Sequence, residues 1–167
     1  MHKQYIKMQS QNGFTLIDVI VAIFIMSVAL MAVIGLANYA LATAAVSKDK
    51  VIAAGLAQEG IEIVRYIRDS QDDWDIWYAD ATIAGDHLVQ YDNSSLMNYA
   101  VTPLRIDSGG HYQYFSGSNS IFYRKINLTL NPSGSEPNEI KITAEITWSE
   151  KGKQYSLTAE DRLWNWR

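Results

Sequence analysis

Residues 13–36 read GFTLIDVIVAIFIMSVALMAVIGL, and this stretch decides how the rest of the chain is organised. The switch from polar to apolar sequence is abrupt and falls at Gly13-Phe14. From Phe14 to Ser47 the only formal charge is Asp18. A membrane-spanning helix needs about 20 predominantly apolar residues, and Phe14 to Ile34 supplies them. An ordinary secretory signal has an apolar core of about 7–15 residues followed by a small-residue cleavage site, so this stretch is too long to be one. His2, Lys3 and Lys7 precede it without any acid. That bias predicts a single-pass cytoplasmic (inner) membrane protein, with residues 1–13 in the cytoplasm and a head outside.

Asn12-Gly13 is a poor helix former, so a protease can reach the junction before the helix begins. Thr15 can satisfy free amides of the first turn. Asp18 is the odd residue. A carboxylate within a spanning helix costs roughly 2.5–3.5 kcal/mol on insertion scales, and near a helix start the dipole returns part of that. Two readings stay open: a carboxylate solvated at headgroup depth, or one that pairs with a cation in an assembly. The second is preferred.

Gly13-Phe14-Thr15-Leu16-Ile17-Asp18-Val19 resembles the prepilin processing motif of type IV pilins and type II secretion pseudopilins. The resemblance implies cleavage after Gly13 by a dedicated membrane peptidase and N-methylation of Phe14. It implies that the acid at the fifth mature position, here Asp18 where the family usually has Glu, meets the N-terminal amine of a neighbouring subunit. The implied partners are the prepilin peptidase, other pilin subunits, the inner-membrane assembly machinery, and the lipid bilayer before assembly. Within the family the apolar run looks most like minor pilins of the PilV type and similar minor pseudopilins.

No proline interrupts Phe14 to Ser70, so the helix is predicted to continue far beyond the bilayer. At 1.5 Å per residue it would reach roughly 80 Å, against a hydrocarbon core of about 30 Å. Ile52, Leu56, Gly60, Ile63, Val64 and Ile67 share one helical face, which predicts an amphipathic second half packed on the chain's own head. Glu62 with Arg65, and Arg65 with Asp69, have helical pair spacing. The predicted organisation is a leader at 1–13, a transmembrane and assembly helix at 14–36, the amphipathic half at 37–70, and a globular head at 71–167.

Within the head, residues 70–118 read as mixed, with turn signals at Asp92-Asn93-Ser94-Ser95 and Asp107-Ser108-Gly109-Gly110 and a short strand around Tyr99–Ile106. Ile121 to Leu130 and Glu139 to Trp148 alternate polar and apolar residues, and Tyr155 to Leu163 does so more loosely. Asn131-Pro132-Ser133-Gly134 separates the first pair. The tight connection at Glu150-Lys151-Gly152-Lys153 predicts an antiparallel hairpin. The fold class is therefore α+β: a long N-terminal helix on a small antiparallel sheet, as the pilin resemblance also implies. Trp164 and Trp166 are expected to pin the last strand, because the chain has no cysteine for a disulfide.

Chemistry is sparse. The absence of cysteine excludes thiol nucleophiles and thiolate metal sites. His2, His87 and His111 lack metal-binding spacing, and no phosphate loop or nucleophile elbow is present. Asp69, Asp72, Asp73, Asp75 and Asp80 form an acidic run whose only ligand reading is calcium, at Asp72, Asp73 and Asp75. It lacks the glycine and the terminal glutamate of a calcium loop, so a solvated helix end is preferred. Trp74, Trp77, Tyr78, Tyr112, Tyr114, Phe115, Phe122 and Tyr123 suit either a core or a surface that stacks on sugars or protein. Asn127-Leu128-Thr129 matches a glycosylation sequon.

The formal net charge of −4 becomes −6 once a leader with two lysines is removed. Such a field is a poor nonspecific ligand for nucleic acid. The expected function is a non-enzymatic subunit without cofactor. It would assemble through its N-terminal helix into a pilus (fimbrium) or pseudopilus at the cell surface, as a minor subunit. The alternative is a single-pass, membrane-anchored ectodomain that binds a ligand and never polymerises.

Overall fold

The computed structural model describes residues 13–71, 73–79, 83–130 and 139–165. Helix α1 runs unbroken over Leu16–Asp69. Its last carbonyls are satisfied locally: Ser70 Oγ and Gln71 Nε2 donate to Ile67 O at 2.7 and 3.1 Å. The chain forms two compact units, one ending at Ala45 and the other beginning at Val46.

In the first unit the helix exposes apolar residues on every side, from Leu16 and Ile17 through Phe24, Met31 and Leu36. A helix that is hydrophobic all round has no aqueous face. Among the described residues this is the one helix long and apolar enough to cross a membrane, and none of its apolar window is buried.

The second unit is a helix-on-sheet layer pair. Its short elements are α2 (Trp74–Ala79), β1 (Gly85–Leu88), β2 (Met97–Asn98), β3 (Pro103–Ile106) and β4 (Tyr112–Gln113). The long strands are β5 (Ser118–Leu130), β6 (Glu139–Glu150) and β7 (Lys153–Trp164). All pairings are antiparallel. β5 is the hub: β6 runs along one edge, while β1 and β3 share the other, at Ile126–Leu128 and Ser118–Tyr123 respectively. β2 extends β1, β4 extends β3, and β7 closes the far side next to β6.

The alternation read from the sequence is the burial alternation. Ile140, Ile142, Ala144, Ile146 and Trp148 of β6 are buried, and Lys141, Thr143, Glu145 and Thr147 between them are half-buried. They meet Ala53, Leu56, Ala57, Ile61, Val64 and Ile67 of α1 in one core. The predicted helical face is inward except Ile52, which is half-buried. Gly60 lets helix and sheet approach closely: a Cβ there would lie 2.7 Å from Ile126 Cδ1 and 3.2 Å from Arg124 Cδ. The β6–β7 hairpin turns through Lys151 and Gly152 with φ of 50° and 80°. Positive φ at both central residues fits a right-twisted two-residue turn.

Several expectations need correction. Among the described residues the sheet has seven strands, because 85–113 contributes four short ones where the sequence predicts one. The strand expected around Tyr99–Ile106 begins only at Pro103. Arg65 pairs not with Asp69 but with Glu62 at 2.8 Å and with Asp161 of β7 at 2.5 Å, while Asp69 lies 2.9 Å from Arg68. A carboxylate across the layer competes better for Arg65 than one exposed at the helix end. Trp164 does not pin the last strand; it is 53% exposed. That strand is held instead by buried Leu163, by Asp161 on Arg65, and by Arg162 on Glu139. Residues 1–12, Asp72, Asp80, Asn131-Pro132-Ser133-Gly134 and Trp166 lie outside the described residues.

Candidate functional site

The site begins where the helix does. Gly13, Phe14 and Thr15 precede the first helical turn and are exposed, Phe14 by 92%. A Cβ at Gly13 would meet nothing within 4 Å. Both residues of the Gly13-Phe14 junction are thus uncovered among the described residues.

One residue later the helix is capped. The Thr15 amide and hydroxyl both donate to Asp18 Oδ2, at 2.9 and 2.7 Å. The Asp18 amide returns a longer bond of 3.4 Å to Thr15 Oγ1. This is a reciprocal capping box with Asp at the third helical position. It gives Asp18 a local partner that sequence reading assigned only to Thr15. Both contacts end on Oδ2, and among the described residues no hydrogen bond is made to Oδ1.

The remaining candidates separate by burial. His87 is buried with Nε2 2.8 Å from Ile83 O, and His111 stacks on Tyr91 with ring centroids 4.9 Å apart. Among the described residues no group of three or more His, Asp or Glu converges on a metal-sized point. Asp73 Oδ1 accepts the Asp75 amide at 2.8 Å. That is a helix-start bond at α2, and Asp72, the third member of the calcium candidate, lies outside the described residues. Trp77, Tyr114 and Phe122 are core. Phe115 and Tyr123 are exposed by 71% and 40%. Asn127 of the sequon is engaged at both ends of its amide, donating to Asp86 at 2.8 Å and accepting from Thr129 at 2.9 Å.

Ser108-Gly109-Gly110-His111 is the turn between β3 and β4. Asp107 organises it by accepting the amides of Gly109 and His111 at 2.8 and 3.0 Å. Those backbone donors, His111 first, hold the Asp107 carboxyl below its usual range.

The sequence reading passed over Arg124, a cation in the inward-facing phase of β5. It is 1% exposed, and its guanidinium bonds Leu56 O at 3.1 Å, Glu59 at 3.2 Å and Val89 O at 2.6 Å. It therefore ties α1 to β5 and to the residue after β1. Asp49, inside the polar run Lys48-Asp49-Lys50, reads as a solvated helix face and is nevertheless buried.

Residues 8–34 match the family described as the prokaryotic N-terminal methylation motif. The match spans Gly13, Phe14, Asp18 and the apolar stretch to Ile34. No curated protein and no solved structure matches the chain.

Proposed function

We propose that the chain is a prepilin-like subunit of the type IV pilin and pseudopilin family. It is cut after Gly13, N-methylated on Phe14, and assembled through its N-terminal helix into a pilus or pseudopilus. The observation that carries this reading is a coincidence at one place. The methylation-motif match over 8–34 falls on an exposed Gly13-Phe14 junction followed by a helix whose apolar window is uncovered among the described residues. Before assembly lipid covers that surface, with the leader in the cytoplasm and the head outside. In the filament neighbouring helices cover it.

Asp18 fits this role through its geometry. Oδ2 is spent on the cap, and Oδ1 is presented to the N-terminal amine of a neighbouring subunit. The PilV-like run and the Asp in place of Glu support a minor rather than a bulk subunit.

Mass spectrometry of the mature N-terminus tests the reading. N-methyl-Phe14 is expected, and a chain still beginning at Met1 in cells with an active peptidase would refute it. One observation favours the alternative of an anchored ectodomain that never polymerises: Asp18 already has a partner in Thr15. Immunogold labelling of sheared filaments separates the two, since an anchored ectodomain stays with the membrane.

A further inference from the structure

Asp49 is a buried carboxylate without a counter-charge. It sits on α1 in the unit that begins at Val46 and keeps only 9% of its surface. Among the described residues no donor bonds it and no cation pairs with it. Its chain neighbours Lys48 and Lys50 point about 100° away on either side and do not face it.

Glu59 makes the contrast. The phenol of Tyr112 senses both carboxylates; burial raises its ionisation first, and the charges of Asp49 and Glu59 add to that. Glu59 has Arg124 at 3.2 Å. Of two acids in one neighbourhood, one is neutralised and the other is not. Covering most of an acid's surface without a partner is unfavourable, and among the described residues nothing offsets it.

We propose that Asp49 receives a Lys or Arg side chain from a neighbouring subunit of the filament. This rests on the filament reading above. The ligand class follows from the site. A hard metal ion needs several oxygen ligands, and among the described residues no such group exists. One carboxylate with a sliver of exposed surface suits a single ammonium or guanidinium. The source follows from charge. The mature chain carries −6, so acidic subunits stacked side by side repel one another. A cation seated on a mostly covered acid offsets that repulsion where water screens it less than on the open surface. Such a contact joins unlike patches on successive subunits, as a non-closing helical assembly requires.

The test uses Asp49→Asn and Asp49→Leu in the full chain, with two readouts. Thermal unfolding in detergent should be unchanged or shifted upward, because no hydrogen bond or ion pair among the described residues is lost. The amount of each variant in sheared filaments should fall roughly tenfold or more against wild type. Incorporation equal to wild type overturns the proposal, and so does a lowered unfolding midpoint that by itself accounts for the lost incorporation. If wild-type chain is absent from sheared filaments, the filament reading fails and carries this inference with it. If wild type is present and the variants match it, this inference alone fails.

Discussion

Gly60→Ala measures how tightly the helix is seated on the sheet. The new Cβ would stand 2.7 Å from Ile126 Cδ1 and 3.2 Å from Arg124 Cδ. Carbon pairs prefer about 3.5–4.0 Å, so helix and strand must part by several tenths of an ångström. Neither neighbour yields easily. Ile126 is fully buried, and Arg124 is fixed by its bonds to Leu56 O and Glu59. Overpacking of this kind costs about 1–3 kcal/mol. Against it stands a helix-propensity gain of about 1 kcal/mol for replacing glycine by alanine. Gly55→Ala is the internal reference: same helix, same substitution, exposed, and nothing within 4 Å of the added Cβ. It should stabilise by about 1 kcal/mol, and Gly60→Ala should fall about 1–3 kcal/mol below it. Urea unfolding of the detergent-solubilised protein reads the difference through tryptophan fluorescence, since Trp148 is buried against Phe122 and Tyr155. Equal stabilisation by the two substitutions would refute the reasoning, because the helix would then not lie against β5 at this distance.

Asp18→Ala should leave membrane insertion intact or improved. It removes the Asp18 half of the capping box together with a carboxylate that is unfavourable within a spanning helix. It should reduce the protein recovered in sheared filaments, and normal filaments from the variant would refute the pairing role. Asp107 carries a pH dependence. Its carboxyl is held below its ordinary value in the folded state by the His111 and Gly109 amides. The stability it supplies is therefore complete above about pH 4 and is lost as pH falls through the folded value. The stability gap between wild type and Asp107→Asn should be wider at neutral pH than at about pH 3, as read by urea titration at each pH. A constant gap would show that the ionised carboxylate does not hold the β3–β4 turn.

What the sequence made legible follows from the length of each signal. Helix α1 shows itself through an apolar run and then a helical stripe. β5, β6 and β7 show themselves through alternation over 12 or 13 residues. Met97–Asn98 and Tyr112–Gln113 are two residues each, too short for any period, and exist as strands only because β1 and β3 offer them an edge. The first turn was half legible. Threonine three residues before an acid is a capping spacing, yet the acid's position drew attention to a distant partner before the near one. Arg124 and Asp49 were hidden for opposite reasons. Arg124 occupies an inward phase that its type contradicts, and its acceptors at 56, 59 and 89 are remote in sequence. Asp49 is flanked by lysines that fit an exposed face, while the packing of the head covers it. Electrostatic context of this kind is made by tertiary contact and leaves no local pattern.

The hub position of β5 also sets a timetable. As the chain emerges from the ribosome, α1 comes first, with the apolar face of Ala53–Ile67 uncovered. β1 and β3 follow, each with only a two-residue strand, β2 or β4, to pair with until Ser118–Leu130 arrives, because both pair with β5 and not with each other. β6 and β7 come last and close over the helix through a local hairpin. Half of the sheet therefore waits on pairings to a later segment, the kind that form slowly. During that wait a sticky helix face is open to other chains. A stop codon after Leu130 would leave β1, β3 and β5 without the buried row of β6, so the last few dozen residues decide whether everything before them matures or is degraded.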